Sequence, residues 1–306
     1  MAKNILITGA TGLVGSKLTE LLLQKGYRVS HLGRTKRNGP IPSFEWNINT
    51  EQMNIQALKG IDAIIHLAGA GIADKRWTEE RKREILESRT GSSALLFKSL
   101  ASQTHQVKAV ISASAIGYYG FGLGEEVFTE ESTPGKDYLA QVTQKWEAEV
   151  DKISSLPIRV VKLRIGIVLS ERGGALVEMA RPIRWGVGSA LGSGRQYLSW
   201  IHLDDLCQLF INAIENEEIS GAYNAVSGNW VTNEKMTKAI AHALKRPLLL
   251  PNIPPFILKL ILGEMAMIVL NGSKVSADKI KKTGFTYAHP NLEESLSSLL
   301  CKELKV

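Results

Sequence analysis

The feature that most restricts what this chain can fold into is Gly9-Ala10-Thr11-Gly12-Leu13-Val14-Gly15, which separates two runs of different periodicity. Asn4-Ile5-Leu6-Ile7-Thr8 before it is short, apolar and rich in β-formers. Residues 16–25 after it carry Leu18, Leu21, Leu22 and Leu23 at helical spacing. Strand, glycine turn and helix together are the context of a dinucleotide-binding loop. Gly9 permits the tight turn, Gly12 lets backbone approach a pyrophosphate, and Gly15 lets the helix pack closely on its strand. The helix N-terminus then offers unpaired N–H groups and a positive dipole end to phosphate. The spacing is G-x-x-G-x-x-G, not G-x-G-x-x-G. On these residues alone an ordinary strand-to-helix turn remains the alternative.

The rest of the first half continues the alternation. Strands are expected at residues 28–32, 44–46, 63–69, 107–112 and 158–164, with a short helix at 53–59 and long helices at 78–102 and 137–153. Residues 63–69 form an unbroken apolar run, as buried parallel strands do, and His66 inside it reads as a packing residue. Residues 121–137 read as a surface loop. Repeated β-α units predict an α/β fold, a Rossmann-type doubly wound parallel sheet with ligands at the C-terminal strand edges. After residue 170 the pattern becomes glycine- and arginine-rich, then returns through a helix at 203–216 and a strand at 222–226. The expected division is a nucleotide-binding domain over 1–170, to which 199–227 return, and a smaller C-terminal α/β substrate domain from 171–198 and 228–306.

Where a ribose-binding carboxylate would follow the second strand, the chain has Gly33-Arg34, then Lys36 and Arg37. An arginine can hold a 2′-phosphate bidentately and a carboxylate would repel it, so NADP(H) is favoured over NAD. The net charge of +7 suits an anionic ligand. The basic residues are scattered and accompany no nucleic-acid motif, so no nucleic-acid partner is expected. Cys207 and Cys301 fit no metal-ligand spacing. They read as reduced thiols in a cytoplasmic protein, and Met1-Ala2-Lys3 leads directly into the first strand with no signal peptide expected. The most apolar stretch, residues 256–270, is shorter than the roughly 20 residues needed to span a bilayer. It is expected to be a buried helix, and no membrane partner is expected.

Several motifs together resemble the short-chain dehydrogenase/reductase superfamily in its atypical, extended form, and more closely its YfcH-like epimerase-family subgroup. They include the glycine loop, Arg76-Trp77-Thr78, Glu87-Ser88-Arg89, Ser112-Ala113-Ser114-Ala115-Ile116-Gly117-Tyr118-Tyr119-Gly120, Trp146-Glu147, Gly192-Ser193-Gly194-Arg195-Gln196, Ser199-Trp200-Ile201-His202, Tyr223-Asn224 and Gly263-Glu264-Met265. They run along nearly the whole chain. The resemblance implies an epimerase-like oxidoreductase acting on a small polar or sugar-like substrate, as a monomer or homodimer.

The resemblance also implies roles for single residues. Gly9, Thr11, Gly12, Leu13, Val14 and Gly15 would surround the pyrophosphate, and Gly33 and Arg34 would meet the 2′-phosphate. Leu67 and Ala68 would line the adenine-ribose side. Glu84 and Arg89 would reach the cofactor, and Val168 would lie beside its nicotinamide half. The family chemistry uses Ser, Tyr and Lys, with the tyrosine exchanging a proton while hydride passes to or from nicotinamide. Ser114 and Tyr138 fall at or near the first two positions. The lysine position, four residues after Tyr138, is Val142, and Lys145 reads as solvated. Loss of this lysine leaves a second reading open, a regulatory protein that binds NADPH without turning it over. Arg195, Gln196, Trp200 and His202 either line a substrate pocket or join the two domains.

Overall fold

The computed structural model describes residues 3–122 and 125–301. Met1 and Ala2 of the expected start, Leu123 and Gly124 of the surface loop, and residues 302–306 of the expected second domain lie outside the described residues. In chain order the elements are β1 (Asn4–Thr8), α1 (Leu13–Gln24), β2 (Arg28–Gly33), β3 (Ser43–Asn47), β4 (Gln52–Met53), β5 (Ala63–His66), α2 (Glu79–Ser102), β6 (Ala109–Ala115), β7 (Val127–Phe128), α3 (Tyr138–Asp151), β8 (Arg159–Ile165), β9 (Ile167–Leu169), α4 (Ala175–Arg184), β10 (Tyr197–Leu198), β11 (Trp200–His202), α5 (Leu203–Glu215) and β12 (Gly221–Ala225). There follow β13 (Val231–Thr232), α6 (Asn233–Ala243), α7 (Pro255–Leu262), α8 (Ala266–Leu270), β14 (Lys274–Val275), α9 (Asp278–Lys281) and α10 (Leu292–Leu300).

Eight strands make one sheet in the order β12-β8-β6-β5-β1-β2-β3-β4. Every pair is parallel except β3–β4. The chain departs from β1 to one side through β2 and returns to its other side through β5, so the loop after β1 opens at the switch point of the sheet. The strands are apolar on both faces because two helix pairs, α1 with α5 and α2 with α3, cover them. Ile5, Leu6, Ile7, Ile64, Ile65, Val110, Ile111 and Val161 have no exposed surface. The two long helices start where a side chain takes up a free N–H. Thr78 Oγ1 accepts from the Arg81 amide at 3.1 Å, and Asp137 Oδ1 from the Ala140 amide at 3.1 Å. A second apolar cluster gathers around the fully buried Trp200, from α4, α6 and α10.

His66 is wholly buried at the end of β5. The Thr8 hydroxyl accepts from the Leu67 and Ala68 amides at 3.0 and 3.2 Å, so its own proton goes to His66 Nδ1 at 2.9 Å. That leaves Nε2–H to donate to Ser93 Oγ at 3.1 Å. Burial pulls the His66 pKa down to about 4. Between there and the ordinary histidine value the unfolded chain binds a proton that the folded chain refuses, so stability falls as pH drops through this window. The loss should reach roughly 2–3 kcal/mol at pH 4.5. Urea unfolding of wild type and His66→Asn at pH 7 and pH 4.5 checks this. An equal pH dependence in both would contradict it.

One expectation is overturned. Residues 256–270 are not one buried helix but α7, a 3-10 turn over Gly263–Met265, and α8. Only Leu258 and Ala266 of this stretch are buried. Pro254 and Pro255 start α7, and Gly263, in the left-handed region at φ +61°, stops it. A helix of eight residues fixed at both ends lays one side on the body, and its other apolar residues face outward.

Candidate cofactor site

The glycine loop is closed by a Gly12 N–H bond to the Gly9 carbonyl at 3.0 Å. Gly9 has φ +66°, and a Cβ there would stand 2.8 Å from the Leu67 carbonyl carbon. A Cβ on Gly15 would overlap the Gly9 carbonyl oxygen and lie 2.6 Å from Ala10 Cα. Helix α1 follows directly on Gly12, which brings no side-chain cap, and has no carboxylate in its first turn. Its first N–H groups therefore have no competitor for an anion.

Two cavities meet on this loop and share Gly9, Gly12 and Leu67. The larger, about 860 Å³, lies over the ends of β1, β2 and β5. It brings together Gly9, Thr11, Gly12, Gly33, Arg34, Leu67, Ala68 and Glu84. Arg37 and Arg83 line it too. Glu84 accepts from Arg81 Nη1 at 2.5 Å, and this bond holds its carboxyl below the ordinary range. Arg81 also donates to the Gly71 carbonyl and stands 3.6 Å from Asp74, which folds residues 71–74 back on α2.

The smaller cavity, about 370 Å³, is bounded by Gly9, Gly12, Leu13, Val14 and Gly15 on one side and by the end of β6 and the face of α3 on the other. Arg89 and Ser114 line it. Arg89 is 8% exposed, and no carboxylate among the described residues pairs with it. Its Nη1 donates to the Ile85 carbonyl at 2.9 Å, and its Cζ lies 5.3 Å from the Trp146 ring centroid. Burial lowers its pKa to about 10, which leaves it a cation at neutral pH. A buried, unpaired cation on a cavity wall calls for an anionic ligand.

Ser114 donates to Glu147 Oε1 at 2.6 Å. Arg164 donates to the same carboxylate through Nε at 2.8 Å and Nη2 at 2.9 Å, and Lys162 Nζ stands 3.3 Å away. Burial alone would raise the Glu147 pKa, but the Arg164 bonds, Lys162 and Ser114 outweigh it and hold the group ionised. With its proton committed to Glu147, the Ser114 oxygen presents only lone pairs elsewhere.

Tyr138 and Val168 line neither cavity. The Tyr138 phenol donates to the Lys82 carbonyl at 2.7 Å and its ring packs on Trp77. Burial raises its pKa, with Arg89 and Lys82 opposing. The face of α3 that meets the cavity carries Leu139, Val142, Thr143 and Trp146, none of which titrates near neutral pH. Lys145 is exposed. Val168 pairs with Ile201 across β9 and β11 and packs on the main core. Tyr119 donates to Asn224 Oδ1 at 2.6 Å, and the Arg164 guanidinium lies 3.5 Å from the Tyr118 ring centroid, so both rings build the wall behind β6. Of the groups expected either at a substrate pocket or between domains, Trp200 is core and His202 caps α5 through Nδ1, accepting from the Asp204 amide at 3.1 Å. Gln196 donates to the Leu191 and Val269 carbonyls at 2.9 and 2.8 Å. Each therefore bonds or packs within the protein. Arg195 is exposed.

Ser88 of the Glu87-Ser88-Arg89 motif, given no role from sequence, accepts through its hydroxyl from the Ala70 amide at 3.0 Å and so fixes the exit of β5. The segment 69–77 then forms a wall to both cavities, through Gly69, Ala70, Gly71 and Asp74 on one and Ile72 on the other. Its far end reaches the C-terminal helices. Arg76 Nη2 donates to the Leu260 carbonyl at 3.5 Å, and Lys82 on the adjoining turn of α2 pairs with Glu264 at 2.5 Å.

The sequence model of the NAD-dependent epimerase/dehydratase family matches residues 5–225. The chain belongs to that family. A second model, described as a domain of unknown function, matches residues 253–299. The chain is 37% identical to the Bacillus subtilis epimerase family protein YfhF, over 97% of this chain and 98% of that one. It is 35% identical to a chloroplastic epimerase family protein of Arabidopsis thaliana, the SDR39U1 homologue, over 96% and 86%. Among solved structures, human epimerase family protein SDR39U1 with NADPH superposes with a TM-score of 0.89 at 30% identity, covering 97% of this chain and 99% of that one. The two cavities lie within the matched residues and are the candidate place for the cofactor that the family's name states. No described helix is long and apolar enough to cross a membrane.

Proposed function

We propose that this chain binds NADP(H) and acts as an epimerase-like oxidoreductase on a small polar or sugar-like substrate. The observation that carries the reading is the pair of cavities meeting on the glycine loop, one with Arg34, Arg37 and Arg83 on its wall beside four carboxylates and the other with a buried arginine that no described carboxylate pairs. Arg34, with Gly33 and beside Arg37 and Arg83, holds the 2′-phosphate. Gly9, Thr11, Gly12, Leu13, Val14 and Gly15 hold the pyrophosphate at the start of α1. Leu67 and Ala68 bound the adenosine side, Glu84 accepts from its ribose, and Arg89 supplies a buried positive charge. Val168 stands behind the nicotinamide half. The bound nicotinamide supplies or accepts hydride. Ser114, oriented by Glu147, accepts a hydrogen bond from a ligand hydroxyl or amide. Tyr138 would exchange a proton with substrate only if its ring left Trp77 and the Lys82 carbonyl and turned toward the smaller cavity.

Arg34→Ala should raise the NADPH dissociation constant roughly 10- to 100-fold, the worth of one charge-assisted hydrogen bond. NADH affinity should stay unchanged in a fluorescence titration. Equal losses for both nucleotides, or tighter wild-type binding of NADH, would remove Arg34 from this role. A second reading, an NADP(H)-binding regulatory protein without turnover, is favoured by the non-titrating face of α3. NADPH consumption on a panel of carbonyl and sugar-nucleotide substrates separates the two.

A further inference from the structure

The apolar stretch that is not buried lines neither cavity of the candidate site. Phe256, Leu260 and Ile261 on α7 are 69%, 77% and 61% exposed, and Leu249 before them is 79% exposed. Trp185, 74% exposed, begins the neighbouring segment. The two segments run together, joined by the Gly192 N–H to the Ile253 carbonyl and the Ile253 N–H to the Ala190 carbonyl, both at 2.9 Å. Of eleven exposed large hydrophobics among the described residues, eight fall here, so the patch is concentrated and not the usual scatter.

The charges between α6 and α7 have one sign, and the carboxylates at the edge of the patch are paired, Glu178 on α4 with Arg181 at 2.8 Å among them. Residues 245–263 contain Lys245, Arg246 and Lys259 and no aspartate or glutamate, and all three cations are exposed. The next carboxylate, Glu264, is taken up by Lys82 at 2.5 Å. Glu234 on α6 is likewise paired, with Lys238 at 2.5 Å.

We infer that this face docks on an anionic lipid bilayer, with α7 lying in the interface plane. Phe256, Leu260, Ile261 and Trp185 enter the headgroup–acyl boundary, and Lys245, Arg246 and Lys259 meet lipid phosphates. Exposed apolar groups flanked by cations match such a surface, where tryptophan finds both an apolar and a wet side. A second copy of the chain is the poorer occupant, because a two-fold contact would set these cations against their own images. No span is implied, since α7 has eight residues.

The test is co-sedimentation of the full chain with vesicles. Binding is expected to vesicles of equal parts phosphatidylcholine and phosphatidylglycerol, and not to phosphatidylcholine alone, with a blue shift of Trp185 fluorescence that Trp185→Phe removes. High salt should weaken the partition. Phe256→Ser with Leu260→Ser, or Lys259→Glu alone, should lower it roughly tenfold while NADPH binding and circular dichroism stay as in wild type. No binding to phosphatidylglycerol vesicles at low salt would overturn the inference. So would unaltered binding by these variants, or sedimentation velocity showing a dimer that the serine variants dissolve.

Discussion

Glu147→Ala is expected to destabilise the fold by about 3–5 kcal/mol, the range for removing one partner of a buried ion pair. The carboxylate is buried, and it pairs with the Arg164 guanidinium and the Lys162 ammonium while receiving the Ser114 hydroxyl. Without it the buried Arg164 guanidinium has no carboxylate partner, although Lys162 keeps Asp151 at 2.7 Å, and Ser114 loses the acceptor that sets its proton. Arg164 has further partners in Tyr119 and the Glu130 carbonyl, at 3.0 and 3.4 Å, but none carries a negative charge. Glu147→Gln keeps the volume and part of the hydrogen bonding, so its loss should fall between wild type and alanine. Denaturant midpoints measure both. A midpoint for Glu147→Ala within experimental error of wild type would show that the network contributes nothing to stability.

Gly15→Ala should abolish cofactor binding while leaving a folded protein. The added methyl meets backbone, the Gly9 carbonyl and Ala10, so no side chain can swing aside and the loop itself must move. Overpacking of this kind costs about 1–3 kcal/mol. The displaced amides no longer converge on one anion, and NADPH affinity should fall at least roughly a hundredfold, about 2.7 kcal/mol. Gly39→Ala is the control, because a Cβ there meets nothing within 4 Å and its backbone lies outside the left-handed region. An NADPH titration of Gly15→Ala that overlays wild type would disconnect the loop from the site.

The parts of the fold legible in sequence are those that local periodicity dictates. The strands around β1 are apolar on both faces because helices cover both, and Thr78 and Asp137 mark helix starts by their own capping chemistry. Of the candidate site, the residues whose place depends on backbone, at the glycine loop and the ends of β2 and β5, come together around the two cavities as their sequence positions suggest. It was less so where it depends on how a helix is turned. Tyr138 and Leu139 are adjacent in sequence, but about 100° of rotation separates them. Leu139 meets the cavity and Tyr138 meets α2. The isolation of Arg89 was equally hidden, since the absence of a carboxylate partner is a property of packing. Residues 256–270 misled for a related reason. Their composition is that of a core helix, and only Pro254, Pro255 and Gly263 record that the helix is too short to be enclosed.

The segment 69–77 has a mechanical consequence. It forms a wall of both cavities, and its far end grips the helices that follow Pro254. One segment therefore connects the candidate site to the C-terminal helices. A shift of residues 69–77 would alter both cavity walls at once and reach the Leu260 carbonyl that Arg76 holds.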